Sequence, residues 1–163
     1  MEDFQAIYAR NIDRVYRLCY LRLGNREDAE DAAQNVFIRW YQSALRAHTT
    51  PFASPEHEKA YFLRAAYNEC RNVKTSFWKR NRVYLDDLPE TVTAVENEEP
   101  ADHGELLRGL PEKYREVLYL YYYEGYSTAE VAELLSRNES TVRTQLQKGR
   151  ERLRCLLQKE GKR

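Results

Sequence analysis

No run of 18 apolar residues occurs in this chain, so a transmembrane helix is not expected and neither is membrane insertion of its own. Cysteine is scarce. The three residues, Cys19, Cys70 and Cys155, are odd in number and far apart, which argues against both a disulfide framework and a Cys-x-x-Cys metal site. The six glycines are scattered and form no phosphate-cradling loop. The three histidines, His48, His57 and His103, cluster neither with the cysteines nor with each other, so no metal is expected. The start, Met-Glu-Asp-Phe-Gln, lacks a basic segment followed by an apolar one, so no signal peptide is read and a cytoplasmic location is expected. No acid–base pair, nucleophile constellation or metal spacing emerges. The expectation is a protein without catalysis and without a cofactor.

What is present is charge and helical patterning. The 163 residues hold 26 Lys+Arg and 26 Asp+Glu, with 42% hydrophobic residues, a composition neither disordered nor membranous. The neutral total hides a partition. Arg71 to Arg82 carries five bases and no acid. Asp86 to Asp102 carries seven acids and no base. Arg137 to Arg163 carries nine bases against three acids. Each block alone fits a solvated surface. Two basic blocks, each ending a helical region, favour nucleic acid. The acidic stretch holds Pro89 and Pro100 and shows no helical period, so residues 78–102 read as a flexible linker between domains at 1–77 and 103–163. Extended, the acidic part spans roughly 60 Å, or about 17 base pairs of duplex.

In the first domain, Phe4, Ile7, Tyr8, Ile12, Val15, Cys19 and Leu23 form one apolar stripe, predicting a helix over about 2–22 that Gly24 ends. Asn25, with Asp28 three residues on, caps a second helix. Its buried face reads Ala29, Ala32, Ala33, Val36, Phe37, Trp40, Tyr41 and Ala44. Its other face reads Glu27, Glu30, Asp31, Gln34, Asn35 and Ile38, a docking surface or else a plain solvated face. After a polar loop at 45–54, Ser54-Pro55 starts a third helix. Tyr61, Phe62, Ala65, Ala66, Cys70 and Val73 are expected inward. Arg64, Asn68, Arg71, Asn72 and Lys74 remain for another face, and amides with bases suit phosphate and base contacts.

In the second domain, Pro111 opens a helix with Val117, Leu118, Tyr121 and Tyr122 as its expected apolar stripe, closed at Glu124-Gly125. Ser127-Thr128-Ala129-Glu130 is a capping box. Val131, Ala132, Leu134 and Leu135 follow on a short helix. Ser136-Arg137-Asn138 is a turn, and Asn138 caps a longer helix with Val142, Leu146, Gly149, Leu153 and Leu156 inward. That is a helix-turn-helix. Asn138, Ser140, Thr141, Arg143, Thr144, Gln147 and Lys148 face out near the start of its second helix, where side chains reach base edges and phosphates.

The chain resembles the extracytoplasmic-function sigma factors of bacterial RNA polymerase, within the sigma-70 family. Asp28-Ala29-Glu30-Asp31-Ala32-Ala33-Gln34-Asn35-Val36-Phe37 is similar to the family's core-binding helix, and Ala60 to Asn72 to the helix that engages the melted promoter element. Leu110-Pro111, Arg115-Glu116-Val117-Leu118, Glu124-Gly125, Glu130-Val131-Ala132 and Ser140-Thr141-Val142-Arg143 resemble its C-terminal module. The resemblance implies an all-α protein of two small helical domains, partnered by core RNA polymerase and promoter DNA. It implies that Glu27, Asp28, Glu30, Asp31, Gln34, Asn35 and Ile38 bind the polymerase. It further implies that Arg64, Asn68, Arg71, Asn72 and Lys74 open the downstream element, and that a separate anti-sigma factor clamps the two domains. Three positions depart from the family: Ser136 stands where Gly is usual, Asn72 where Asp is frequent, and Tyr61 where Trp is frequent. The rival reading is a stand-alone helix-turn-helix regulator whose first domain senses or dimerises.

Overall fold

The computed structural model describes residues 3–47, 52–80 and 107–161, and all of its regular elements there are helical. They fall into two compact units that divide between Pro89 and Glu90. The acidic segment lies outside the described residues.

The first unit holds α1 (Phe4–Leu23), α2 (Arg26–Ala47) and α3 (Pro55–Arg80). Gly24 ends α1 at φ 79°, its N–H donating to the Tyr20 carbonyl, the left-handed cap that an L side chain resists. Asn25 Oδ1 accepts the Asp28 N–H at 2.8 Å, and Ser54 Oγ accepts the His57 N–H at 3.1 Å, so α2 and α3 begin where their caps predict. Helix α3 runs to Arg80, three residues into the segment read as linker.

The three helices pack mutually. Ile7, Val15 and Leu18 of α1 meet Ala29, Ala33, Val36 and Phe37 of α2 and Phe62, Leu63 and Ala66 of α3, all buried. Phe62 is the hub, with ring centroids 5.1 Å from Phe37 and 5.5 Å from Trp40. Burying one such side chain stabilises by about 1.5–3 kcal/mol. The apolar stripes run wider than the core. Tyr8, Tyr41 and Tyr61, expected inward, are exposed at their rims. A tyrosine at a stripe's edge buries one side of its ring and leaves its hydroxyl to water. Cys19 and Cys70 are fully buried free thiols. Hydrogen bonding to Cys70 and then burial raise the Cys19 pKa, which keeps that thiol protonated.

Three carboxylates lie buried inside the fold, and nothing local in the sequence names a partner for any of them. Glu58 (8% exposed) accepts Arg10 Nε at 3.1 Å, Arg10 Nη2 at 2.9 Å and Asn11 Nδ2 at 2.6 Å, tying α3 to α1. Glu69 accepts Asn35 Nδ2 at 3.3 Å and pairs with Arg39 at 2.9 Å, tying α3 to α2. Glu116 serves the second unit.

That unit holds α4 (Glu112–Leu118), continued by a π-helical turn over Tyr119–Tyr123, then α5 (Thr128–Leu135) and α6 (Glu139–Gly161). The Glu124 N–H reaches back five residues to the Tyr119 carbonyl. The wider turn shifts the helical phase, so Tyr119 and Leu120 are buried, while Tyr122 is 59% exposed and Tyr121 half-buried. The expected inward placement of Tyr121 and Tyr122 is thereby corrected. Gly149 lets α6 approach α4, since a Cβ there would lie 3.1 Å from Leu118 Cδ1 and 3.3 Å from Tyr114 Cβ.

The capping box of α5 forms in both directions: Ser127 Oγ accepts the Glu130 N–H at 3.2 Å, and Glu130 Oε1 accepts the Ser127 N–H at 3.0 Å. Ser136 closes α5 at φ 55°, ψ 49°, the only non-glycine with positive φ among the described residues. The left-handed region costs an L residue about 1 kcal/mol. Ser136→Gly is therefore expected to raise the thermal midpoint of this unit by a stabilisation of about 0.5–1 kcal/mol; calorimetry showing an unchanged or lowered midpoint would contradict it.

Candidate nucleic-acid and protein interfaces

Helix α6 turns Val142, Leu146 and Gly149 into the core. The 3.6-residue period then leaves Asn138, Ser140, Thr141, Arg143, Thr144, Gln147 and Lys148 outward, and all seven are exposed. The helix-turn-helix thus leaves the whole set that the sequence singled out open to solvent.

The geometry of that face is held from behind. Arg137, in the turn, pairs with Glu116 of α4, which is 2% exposed, and donates through Nη1 to Gln145 Oε1 at 3.0 Å. One guanidinium therefore ties α4, the turn and α6 together. In front, Glu139 Oε1 accepts Thr128 Oγ1 at 3.0 Å and Arg143 Nη2 at 2.7 Å.

Beside the face lies an open cleft of about 270 Å³ between the first turn of α4 and the first turns of α6. Lys113 and Lys148 flank it, with Ser140, Thr141 and Thr144 on its wall. Lys113 Nζ and the Arg152 guanidinium each sit 5.1 Å from the centre of the Tyr114 ring. Two ammonium groups over hydroxyls suit a phosphodiester. Lys113 escaped the sequence reading because it lies 27 residues before Ser140, and only the packing of α4 on α6 brings it there.

In the first unit, Arg64, Asn68, Arg71 and Asn72 are exposed at spacings of four, three and one along α3, and Lys74 is half-buried. Tyr61 adjoins them one turn earlier, 38% exposed, its ring edge-on to Phe52 at 5.3 Å. Partial burial raises its phenol pKa, so the hydroxyl stays protonated. A half-exposed aromatic beside amides and bases is the composition of a single-strand platform.

On α2, Glu27, Asp28, Glu30, Asp31, Gln34, Asn35 and Ile38 are all exposed. Three of them have internal bonds: Asp28 with Asn25 at the cap, Glu30 with Arg26 at 3.0 Å, and Asn35 with Glu69. Ile38, 52% exposed, begins an apolar strip that continues through Tyr41 and Leu45 at spacings of three and four. No cluster of His, Cys, Asp and Glu suited to a metal occurs among the described residues. No helix there is long and apolar enough to cross a membrane.

A helix-turn-helix with an amide-, hydroxyl- and base-rich outer face, joined to a separate three-helix unit, defines a nucleic-acid-binding class of helical protein. Residues 7–82 match the sigma-70 region 2 family, and residues 104–153 match sigma-70 region 4. The chain is 30% identical to the extracytoplasmic-function RNA polymerase sigma factor SigE of Mycolicibacterium smegmatis, covering 99% of this chain and 64% of that protein. It is also 30% identical to SigW of Bacillus subtilis, covering 87% of this chain and 82% of SigW. The chain belongs to the extracytoplasmic-function sigma factors of the sigma-70 family. Its fold matches that of the sigma factor RpoE of Bartonella quintana, solved with the anti-sigma factor NepR, at a TM-score of 0.72 and 19% identity over 97% of this chain and 98% of that one.

Proposed function

We propose that this chain binds bacterial core RNA polymerase and directs promoter-specific transcription initiation. The observation that carries the reading is the order of the two family matches on one chain, region 2 at 7–82 and region 4 at 104–153. Domain 1–77 binds the polymerase through the exposed face of α2 and opens the downstream promoter element with Arg64, Asn68, Arg71, Asn72 and Lys74. Domain 103–163 reads the upstream element through Asn138, Ser140, Thr141, Arg143, Thr144, Gln147 and Lys148, with Lys113 added as a phosphate contact. The segment 78–102 links them. The role needs no catalysis by this chain, and it places the protein with the polymerase in the cytoplasm. The Bartonella relative was crystallised with an anti-sigma factor, and we extend that class of partner to this chain, covering the α2 face around Asp31 and Gln34.

The test is reconstitution with bacterial core polymerase on a promoter library. Run-off transcripts that start at a defined subset of promoters support the reading, and no initiation above core enzyme alone refutes it. Within that assay, Ile38→Glu is expected to weaken core binding by about 1–2 kcal/mol through lost apolar burial, roughly tenfold. Its thermal midpoint should stay put, because Ile38 is already half in water. Core affinity unchanged in a competition titration would remove the α2 face from the docking site.

A further inference from the structure

Between Arg137 and Arg150 the chain carries one acid, Glu139, half-buried at the edge of the face proposed to meet DNA. An acid there repels phosphate and lowers affinity for every sequence alike. Its geometry shows what it does instead. Glu139 sits in the first turn of α6, and its Oε1 is held from across the turn by Thr128 Oγ1 at 3.0 Å. The same oxygen accepts Arg143 Nη2 at 2.7 Å, one helical turn on. The hydrogen bonds from Thr128 and Arg143 hold the Glu139 carboxyl below its ordinary pKa, so it is charged throughout the neutral range.

Arg143 is otherwise a long exposed side chain, and a free arginine must surrender its rotamer freedom when it docks on a base. A guanidinium carries five N–H donors in a rigid plane. One is engaged by Glu139, which leaves the others to face a base edge. Anchoring one corner of the plane to a carboxylate that is itself anchored to α5 fixes the tilt of the fork. Thr128 and Glu139 come from different helices, so the anchor also ties the tilt to the helix-turn-helix frame.

We infer that Glu139 is a positioning residue, which orients Arg143 for base readout and exchanges non-specific DNA affinity for discrimination at the single position Arg143 reads. The inference rests on the proposed role of Arg143 in upstream-element recognition. It makes a signature that a merely structural residue would not give: two DNA-binding properties move in opposite directions.

The experiment uses holoenzyme reconstituted from core polymerase and the full chain, transcribing a promoter library randomised across the upstream element, with a scrambled duplex as competitor. Arg143→Ala identifies the position that arginine reads. Glu139→Ala is expected to reduce base preference at that same position by about five- to tenfold, part of what one bidentate contact supplies, while the scrambled duplex competes about twofold better. Thr128→Val, which removes only the outer anchor, should shift the same position in the same direction by a smaller factor. Glu139→Gln keeps the side-chain volume and serves where the alanine variant folds poorly. Preference unchanged in the Glu139 variants while Arg143→Ala relaxes a position overturns the inference and leaves the Arg143 role standing. Relaxation at a different position shows Glu139 reading a base directly and also overturns it, as does a uniform loss on all promoters. If Arg143→Ala relaxes no position, the role of Arg143 fails and the inference with it.

Discussion

Arg137→Ala is expected to destabilise the C-terminal unit by about 3 kcal/mol, the cost of removing a charged partner from a buried carboxylate. Glu116 is 2% exposed and faces the Arg137 guanidinium, which is itself mostly covered. Desolvating a carboxylate costs several kcal/mol, and the Arg137 guanidinium offsets part of it. The same substitution also frees Gln145 from the turn. The loss should be local. Both tryptophans, Trp40 and Trp78, lie in the first unit. In urea unfolding of the full chain, the tryptophan fluorescence transition should stay in place while part of the circular dichroism transition moves to lower urea. Promoter use at the upstream element should fall with it. The double variant Arg137→Met, Glu116→Leu replaces the pair by apolar groups and should recover most of the loss, because neither charge then has to be buried. A dichroism transition unmoved by Arg137→Ala would show that the pair carries no net stabilisation.

Glu58→Ala is expected to cost the first unit about 2 kcal/mol, since three hydrogen bonds made by a charged acceptor are lost. Here tryptophan fluorescence is the reporter that should move. The wild-type protein adds a pH dependence. Burial raises the Glu58 pKa, but the hydrogen bonds from Arg10 and Asn11 with the nearby charges of Arg10 and Arg14 together outweigh it and hold the carboxyl below its ordinary 4.5. A folded-state pKa below the unfolded value means the folded chain binds the proton less readily. The stabilisation is therefore present in full above pH 4.5 and is lost as pH falls through the lower folded value. Glu58→Gln removes this titration. The difference in stability between wild type and variant should shrink between pH 6 and pH 3. A difference that is constant with pH would mean that Glu58 does not carry it.

These two carboxylates mark where reading from sequence stops. Helix existence and capping are local matters. A cap is a bond between residues two or three apart, and an apolar stripe is a 3.6-residue period, so both are written in consecutive letters. That is why Asn25, Ser54 and Ser127 located helix starts, and why the residues singled out as outward on α2 and α6 are exposed. The family resemblance works on the same footing, since its motifs are short runs in order.

Phase along α4 was not legible in that way. The π-helical turn at Tyr119–Tyr123 inserts a residue that the 3.6 period does not contain, and it moved Tyr122 from the expected core to the surface. A run of four tyrosines and a leucine gives the period nothing to lock onto, because each could be buried. Tyr61 was misplaced for a related reason: a stripe's edge is decided by how far the neighbouring helix reaches over it.

The sequence by itself determined the helices, their caps, the outward residue sets and the family, because each rests on contacts within a few residues or on ordered motifs. Only the tertiary structure decided which acids are buried and with whom. Nothing local marks Glu58, Glu69 and Glu116 as buried, since a charge is mostly solvated unless a distant partner meets it. Arg10, Arg39 and Arg137 are those partners, brought close by helix packing. The same packing set Lys113 beside Lys148 and tied Thr128, Glu139 and Arg143 into one chain of hydrogen bonds. Such pairings depend on crossing angle and distance between helices, which no period along a single helix encodes.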